Sequence, residues 1–363
     1  MPLANASRWF VEGVSLQAEQ FKVRFNIMQV KSWPLRSIGV WLNAFNCSLC
    51  RISLISVLIL SGCASVKVPD TNAIKTPSTT EAPTPGSSAA TPIAAEPVAP
   101  PKVLHLGLAL GGGAARGFAH VGVIQVLEEA GIHPDLVVGT SAGSLVAALY
   151  ASGKNSAQLR RVAETMEEAE ITDWMMPILN RGALRGEALA RYVNNQVGNR
   201  LIEQMKMPLG IVATDLHNGE PVLFRRGNTG SAVRASSAVP AVFQPVKIGN
   251  REYVDGGLVS PVPVRQARDM GANVVIAVDI STDPEGSPAS DTFQILMQTF
   301  NIMGKSLNTV LLKDADVVVR PALMGVKSAD FAARRKSIEA GREAMLKALP
   351  KLKEILSGYA LKP

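Results

Sequence analysis

Three short segments of this chain carry residue types suited to chemistry: a serine between glycines, a glycine run before it, and an aspartate followed by two more glycines. The first, Gly139-Thr140-Ser141-Ala142-Gly143, is a G-x-S-x-G sequence. In a sharp strand-to-helix turn, Gly139 and Gly143 relieve crowding around a serine held in a strained conformation. The hydroxyl is then presented at a helix N-terminus, where the dipole favours the negative charge that develops on acyl transfer. The pattern alone is weak, and an idle serine in a tight turn is its bland alternative. A strand-like segment before it and a helical one after it strengthen the catalytic reading. The second segment, Gly111-Gly112-Gly113-Ala114-Ala115-Arg116-Gly117, can offer backbone N–H groups to an anion. A nucleotide phosphate is one such anion, but no Gly-Lys-Ser/Thr follows, and the frame Gly112-x-Ala114-x-x-Gly117 lacks the second glycine of a dinucleotide fingerprint. The same amides serve as an oxyanion hole if they face Ser141.

A serine needs a base. Asp255 follows the strand-like run Arg251–Val254 and precedes Gly256 and Gly257, which leave its carboxylate uncrowded. A carboxylate is ordinarily too weak a base for a serine hydroxyl. Burial raises its pKa and excludes water, and a direct Ser–Asp hydrogen bond then becomes workable. The bland alternative is a turn-forming Asp before Gly. A histidine-containing triad is the rival. The chain holds His105, His120, His133 and His217, and none follows Asp255. In the common α/β-hydrolase order the histidine comes after both partners, so its absence favours a dyad. His217 reads as a hairpin-turn residue, and His120 as a packing or capping residue. Ser236 and Ser237, in Arg234–Pro240 at the end of a short helix, either contact substrate or hold structure. Asp215 is expected to order a loop beyond its strand. No His, Asp or Glu set has metal-ligand spacing, so metal-independent catalysis with no cofactor is expected.

Hydrophobic patterning supplies the elements that must position these groups. Val103–Leu110, Asp135–Gly139, Leu209–Thr214, Asn273–Ile280 and Ala315–Arg320 read as buried strands. Phe118–Ala130, Ala142–Ser152 and Phe331–Ser357 read as helices. Strand and helix alternate, which is the signature of an α/β domain with a mainly parallel sheet. Ile171–Arg185, carrying Trp174, Met175, Met176 and Pro177, is a candidate lid.

Leu108 to Val123, then Gly139 to Gly143, then Asp255-Gly256-Gly257 resemble, in order, the three signatures of patatin-like phospholipases. The resemblance extends over about residues 104–350 and includes Ala213-Thr214-Asp215, Arg234–Pro240 and Asn273–Val278. It implies a three-layer α/β/α patatin-like fold with Ser141 as nucleophile and Asp255 as base. It also implies an oxyanion hole from the amides of Gly112, Gly113 and Ala114, with Gly111, Arg116 and Gly117 supporting the loop. Ala114 departs from the family, many of whose members have a third glycine there. An alanine still donates the same N–H. The reaction implied is hydrolysis of phospholipid or lysophospholipid acyl esters. Acyl transfer by the same dyad and a non-catalytic lipid-binding lipoprotein are the rivals.

The rest of the chain reads as an address. Of a net charge of +7 over 363 residues, residues 1–62 hold six basic groups against two acidic ones. The mild excess left downstream does not suggest nucleic-acid binding. Ile52–Leu60 is an apolar run of about 14 Å as a helix, too short for a bilayer core of ~30 Å. With Arg51 before it and Leu60-Ser61-Gly62-Cys63 closing it, the run describes a signal peptide ending in a lipobox, with Cys63 the lipidated residue. Met28 offers a more ordinary start than Met1. The remaining cysteines, Cys47 and Cys50, also lie early, so the downstream domain has no thiol for a disulfide, a nucleophile or a metal. Residues 67–101, rich in Pro, Thr, Ala and Ser, read as an extended or disordered tether. The expected organisation is a signal peptide over 1–62, lipidated Cys63 and tether over 63–101, a catalytic domain over 102–325 and a packed helical segment over 326–363. Ala64 after the cysteine, rather than Asp, leads to an expected outer-membrane location facing the periplasm, with a lipid substrate at that surface.

Overall fold

The structure is a computed structural model and describes residues 103–173, 182–284, 290–327 and 330–359. The expected signal segment, Cys63 and the tether lie outside the described residues, as does most of the candidate lid.

Ten strands are described: β1 (Leu106–Leu110), β2 (Leu136–Thr140), β3 (Gly182–Leu184), β4 (Leu209–Asp215), β5 (Pro221–Phe224), β6 (Ala241–Phe243), β7 (Val246–Ile248), β8 (Arg251–Asp255), β9 (Val274–Val278) and β10 (Val317–Val319). The helices are α1 (Ala119–Glu129), α2 (Ala142–Ala151), α3 (Ser156–Thr165), α4 (Glu168–Ile171), α5 (Glu187–Gln196), α6 (Thr229–Ser236), α7 (Val264–Asp269), α8 (Thr292–Leu311) and α9 (Arg334–Ser357). The main sheet has the hydrogen-bonded order β10-β9-β1-β2-β4-β8-β7, with β5 also on β4, and a separate two-stranded sheet joins β3 to β6. From β10 to β4 every pairing is parallel, and β5, β7 and β8 add antiparallel pairings.

Strands buried on both faces explain the near-continuous apolar runs in the sequence. Successive side chains of β1 go to opposite cores. Leu106, Leu108 and Leu110 join one with Ile124, Leu127, Ala148 and Ile338, and Ala109 joins the other with Val138, Val264 and Ala267. Helices therefore cover both faces, and the architecture is the three-layer α/β/α sandwich expected. Helix α9 packs on α1 with near backbone contact: a Cβ at Gly122 would lie 1.9 Å from the carbonyl oxygen of Ile338.

One detail of the register positions the site. Val212 of β4 pairs with Thr140, the last residue of β2, and Ala213 pairs with Asp255, the last residue of β8. Strand β5 pairs with Ile211 to Thr214 and so occupies the other edge of β4. Strands β2 and β8 therefore share one edge of β4, end to end, and their carboxyl ends meet there because β2 runs parallel to β4 and β8 antiparallel.

Candidate active site

Ser141 is the residue after β2 and the N-cap of α2. Its backbone stands at φ 52, ψ −123, a left-handed conformation that costs a non-glycine residue about 1–3 kcal/mol. The glycines on either side permit the bend by close approach. A Cβ on Gly139 would lie 2.3 Å from the carbonyl oxygen of Gly143, and one on Gly143 would lie 2.1 Å from that of Leu110. The strained residue is held from both sides. Its N–H donates to Ser236 Oγ at 2.8 Å, and Ser236 Oγ donates onward to the Val212 carbonyl at 2.5 Å. Its carbonyl accepts from the hydroxyl and the N–H of Ser144 at 2.6 and 2.8 Å. Next to it, Thr140 Oγ1 donates to the Ser260 carbonyl at 2.9 Å and ties the elbow to the segment after Asp255.

Asp255 closes β8 with its side chain buried. Its carboxylate accepts the Gly257 N–H at 2.7 Å, and the Ser141 side chain beside it favours its charged form. Its own N–H donates to the Ala238 carbonyl at 3.0 Å, and its carbonyl accepts from Thr214 Oγ1 at 2.8 Å. Gly256 lies against β4, where a Cβ would meet the Val212 carbonyl oxygen at 2.2 Å. Burial pushes the Asp255 carboxyl up to about 6, and the Gly257 N–H and the Ser141 side chain act against that rise. A proton acceptor of this strength beside a hydroxyl can serve as its general base near neutral pH.

The glycine loop leaves β1 beside this pair. Gly111 N–H donates to the Val278 carbonyl at 3.0 Å, and a Cβ on Gly112 would be 3.1 Å from Ser141 Cβ. Gly113 packs on Ile280, and Gly117 on Ala142. One expectation needs correcting. The Gly112 N–H is spent on the Pro261 carbonyl at 3.0 Å, so this residue faces Ser141 with its Cα and not with its donor. The loop has to be tied to the segment that follows Asp255, and Gly112 supplies that tie. Gly113 and Ala114 follow at the head of the 3-10 turn Ala114–Phe118, where leading N–H groups have no partner within the turn, and Ala114 takes a left-handed φ of 51 there.

Two buried side chains brace the loop. Arg116 Nε donates to the Ile280 carbonyl at 3.0 Å. Burial lowers the Arg116 guanidinium to about 10, partly offset by the charge of Asp279. His120 Nε2 donates to the Gly111 carbonyl at 2.8 Å, and burial lowers its pKa to about 4, so the ring is neutral at physiological pH. This bond goes to the loop and to neither Ser141 nor Asp255, in keeping with the packing role read from the sequence.

The structural alternative proposed for Ser236 also describes what is seen. The residue is fully buried and touches the elbow backbone. Its role as a tie was not readable beforehand, because Arg234–Pro240 shows only a helix ending. The same segment holds both halves of the site, Ser141 through Ser236 and Asp255 through Ala238. Asp215 orders the turn after β4, as expected, by accepting the His217 N–H at 2.9 Å. Of the candidate lid, Asp173 is described: its carboxylate accepts the N–H groups of Gly186, Glu187 and Ala188 and caps α5. Among the described residues, no three His, Cys, Asp or Glu side chains cluster in a way that could hold a metal ion.

Residues 108–268 match the patatin-like phospholipase family profile. An uncharacterised NTE family protein of Mycobacterium tuberculosis is 37% identical over 185 residues, covering 51% of this chain and 51% of that one. The patatin-like phospholipase domain-containing protein 6 of Mus musculus is 34% identical over 188 residues, covering 50% of this chain and 14% of that protein. The chain thus spans about half the length, or less, of these curated relatives. VipD from Legionella pneumophila aligns over 71% of this chain and 72% of its own, with a TM-score of 0.46 and 14% identity, and adds nothing to the fold already described.

Proposed function

From the match of residues 108–268 to the patatin-like phospholipase profile and the likeness to NTE family proteins, we propose that the chain is a member of that family and a serine acyl hydrolase of (lyso)phospholipids or related lipids, working through a Ser141–Asp255 dyad. The observation that carries the reading is the meeting, on one edge of β4, of the strained Ser141 after β2 with the buried Asp255 at the end of β8, whose carboxyl is raised to about 6. In the first half-reaction Ser141 Oγ attacks the ester carbonyl carbon as its proton passes to Asp255. The Gly113 and Ala114 amides, beside the N-terminus of the 3-10 turn, stabilise the tetrahedral oxyanion. Collapse breaks the ester C–O bond, and the departing alcohol takes the proton from Asp255. Asp255 then removes a proton from water, which attacks the acyl-Ser141 carbonyl. Collapse returns that proton to Ser141 and releases the fatty acid.

The Cys63 lipobox and the tether after it support a lipid-anchored protein on the outer membrane facing the periplasm, with its substrate in the same surface. Hydrolysis of a lipid panel and fluorophosphonate labelling test the enzymatic part. Ser141→Ala should abolish both while the thermal transition stays where it is. Retained turnover in that variant would remove Ser141 from the reaction.

A further inference from the structure

Large apolar side chains left in water are concentrated on one element. Of the nine among the described residues, Ile295, Leu296, Ile302, Met303 and Val310 belong to α8, and the others are scattered. At the helical turn angle these five fall within a sector of roughly 120°. Thr299 and Ser306, exposed and uncharged, fill the gaps between them. The helix contains no Asp or Glu, and its one charged residue, Lys305, is bonded to Asp283 at 3.0 Å. The opposite face is seated, with Gly304, Asn308 and Leu311 buried.

Helix α8 also lies at the site. It packs against the 3-10 turn Gly256–Leu258, immediately after Asp255. Asn308 Nδ2 donates to Asp279 Oδ1 at 3.2 Å, just past the end of β9, the strand whose Val278 carbonyl holds Gly111.

We infer that the outward face of α8 is a bilayer-docking surface that sets the dyad against lipid. The inference rests on the reading of the site as one that acts on lipid. Its occupant is argued from area, charge and the chain that precedes the domain. The five side chains expose on the order of 500 Å² of apolar surface, a patch of the size that marks an interaction site. That area suits a helix lying in the headgroup–acyl boundary, and no described helix is long and apolar enough to cross a membrane. Helix α8 itself contributes no carboxylate to repel anionic headgroups. The Pro/Ala/Thr-rich stretch runs up to the first described residue, Val103. Acylation of Cys63 would leave about 40 residues between the anchor and Val103, a reach on the order of 100 Å.

The test uses the full chain carrying Cys63→Ser, so that no acyl anchor contributes, and Ser141→Ala, so that no lipid is consumed. Its probe is vesicles of phosphatidylethanolamine and phosphatidylglycerol. Adding Ile302→Asp with Met303→Asp should lower co-sedimentation by about tenfold or more, since each replaces a buried apolar contact with a charge. Ile302→Gln with Met303→Gln, which adds no charge, should lower it less. Unchanged vesicle binding in both pairs overturns the inference. So does a change from dimer to monomer by light scattering with lipid binding intact, which would assign the face to a second copy. With Ser141 restored, the substituted chain should lose hydrolysis of vesicle lipid but keep turnover of a soluble short-chain ester. A parent chain that binds vesicles through α8 but hydrolyses no lipid would keep the docking surface and discard the hydrolase.

Discussion

Asp215 and Asp255 sit two rungs apart on the same antiparallel pair of strands. Asp215 of β4 is opposite Tyr253, and Asp255 of β8 is opposite Ala213. Both side chains are buried, yet their carboxyls are pushed in opposite directions. Asp215 bonds the guanidinium of Arg251 and the N–H of His217, which hold it below the ordinary carboxylate value. Asp255 has a backbone N–H as partner, the Ser141 side chain beside it and no cation, so burial dominates and its carboxyl rises. One residue type in one stretch of sheet therefore becomes a structural anion or a base, according to whether a cation accompanies it.

The sharpest way to break this contrast is to remove the charge from each in turn. Asp255→Asn should lower ester turnover by about 10³-fold or more, as expected when a general base is lost. Asp215→Asn, which frees Arg251 and loosens a turn, should leave turnover within a few-fold. Equal losses in the two variants would mean that Asp255 is also only structural.

A middle-sized effect concerns how the nucleophile is aimed. Ser236→Ala removes the acceptor for the Ser141 N–H while leaving Asp255 in place. We expect kcat to fall by about tenfold with KM little changed, since a small misplacement of the nucleophile costs rate rather than binding. Ser236→Cys, which retains a weak acceptor, should recover part of the loss. If both variants instead lose only thermal stability, Ser236 has no positioning role.

The smallest effects are in stability and its pH dependence. Asp255 has a folded pKa above its ordinary 3.8, so its ionisation works against folding. The cost is absent below pH 4, grows between there and about 6, and then stays constant at about 3 kcal/mol. Asp255→Asn should therefore be more stable than the parent at pH 8 and no more stable at pH 3.5. Asp215 works the other way. Its stabilisation is present above the ordinary carboxylate pKa and is lost as pH falls through its depressed value, so Asp215→Asn should be the less stable variant at pH 8. Turnover by the parent should rise through pH about 6 and level off above it, because Asp255 must be ionised to accept the serine proton. Urea titrations at the two pH values and a pH–rate profile check all three expectations. A flat rate profile from pH 5 to 8 would contradict the raised carboxyl.

Local chemistry made much of the molecule legible in the sequence. The continuous apolar runs of β1, β2, β4 and β9 read as strands covered on both faces, and the glycines around Ser141 mark a bend that larger residues would block. The elements missed, α3, α4, α5, α7 and α8 among the helices and β3, β5, β6 and β7 among the strands, are half-exposed or short. Their patterns are weak because packing, not propensity, decides them. Helix α8 is the clearest case: its apolar residues point both inward and outward.

By itself the sequence determined that a serine, a carboxylate and a glycine loop were present, each in a turn fit to present it, since these are properties of a few adjacent residues. It could not determine that the Gly112 amide would be taken by Pro261, that Ser236 would hold the elbow, or that β2 and β8 would end against each other on one edge of β4. Those depend on which hydrogen bonds remain open once distant strands have paired, and only the tertiary structure decides that.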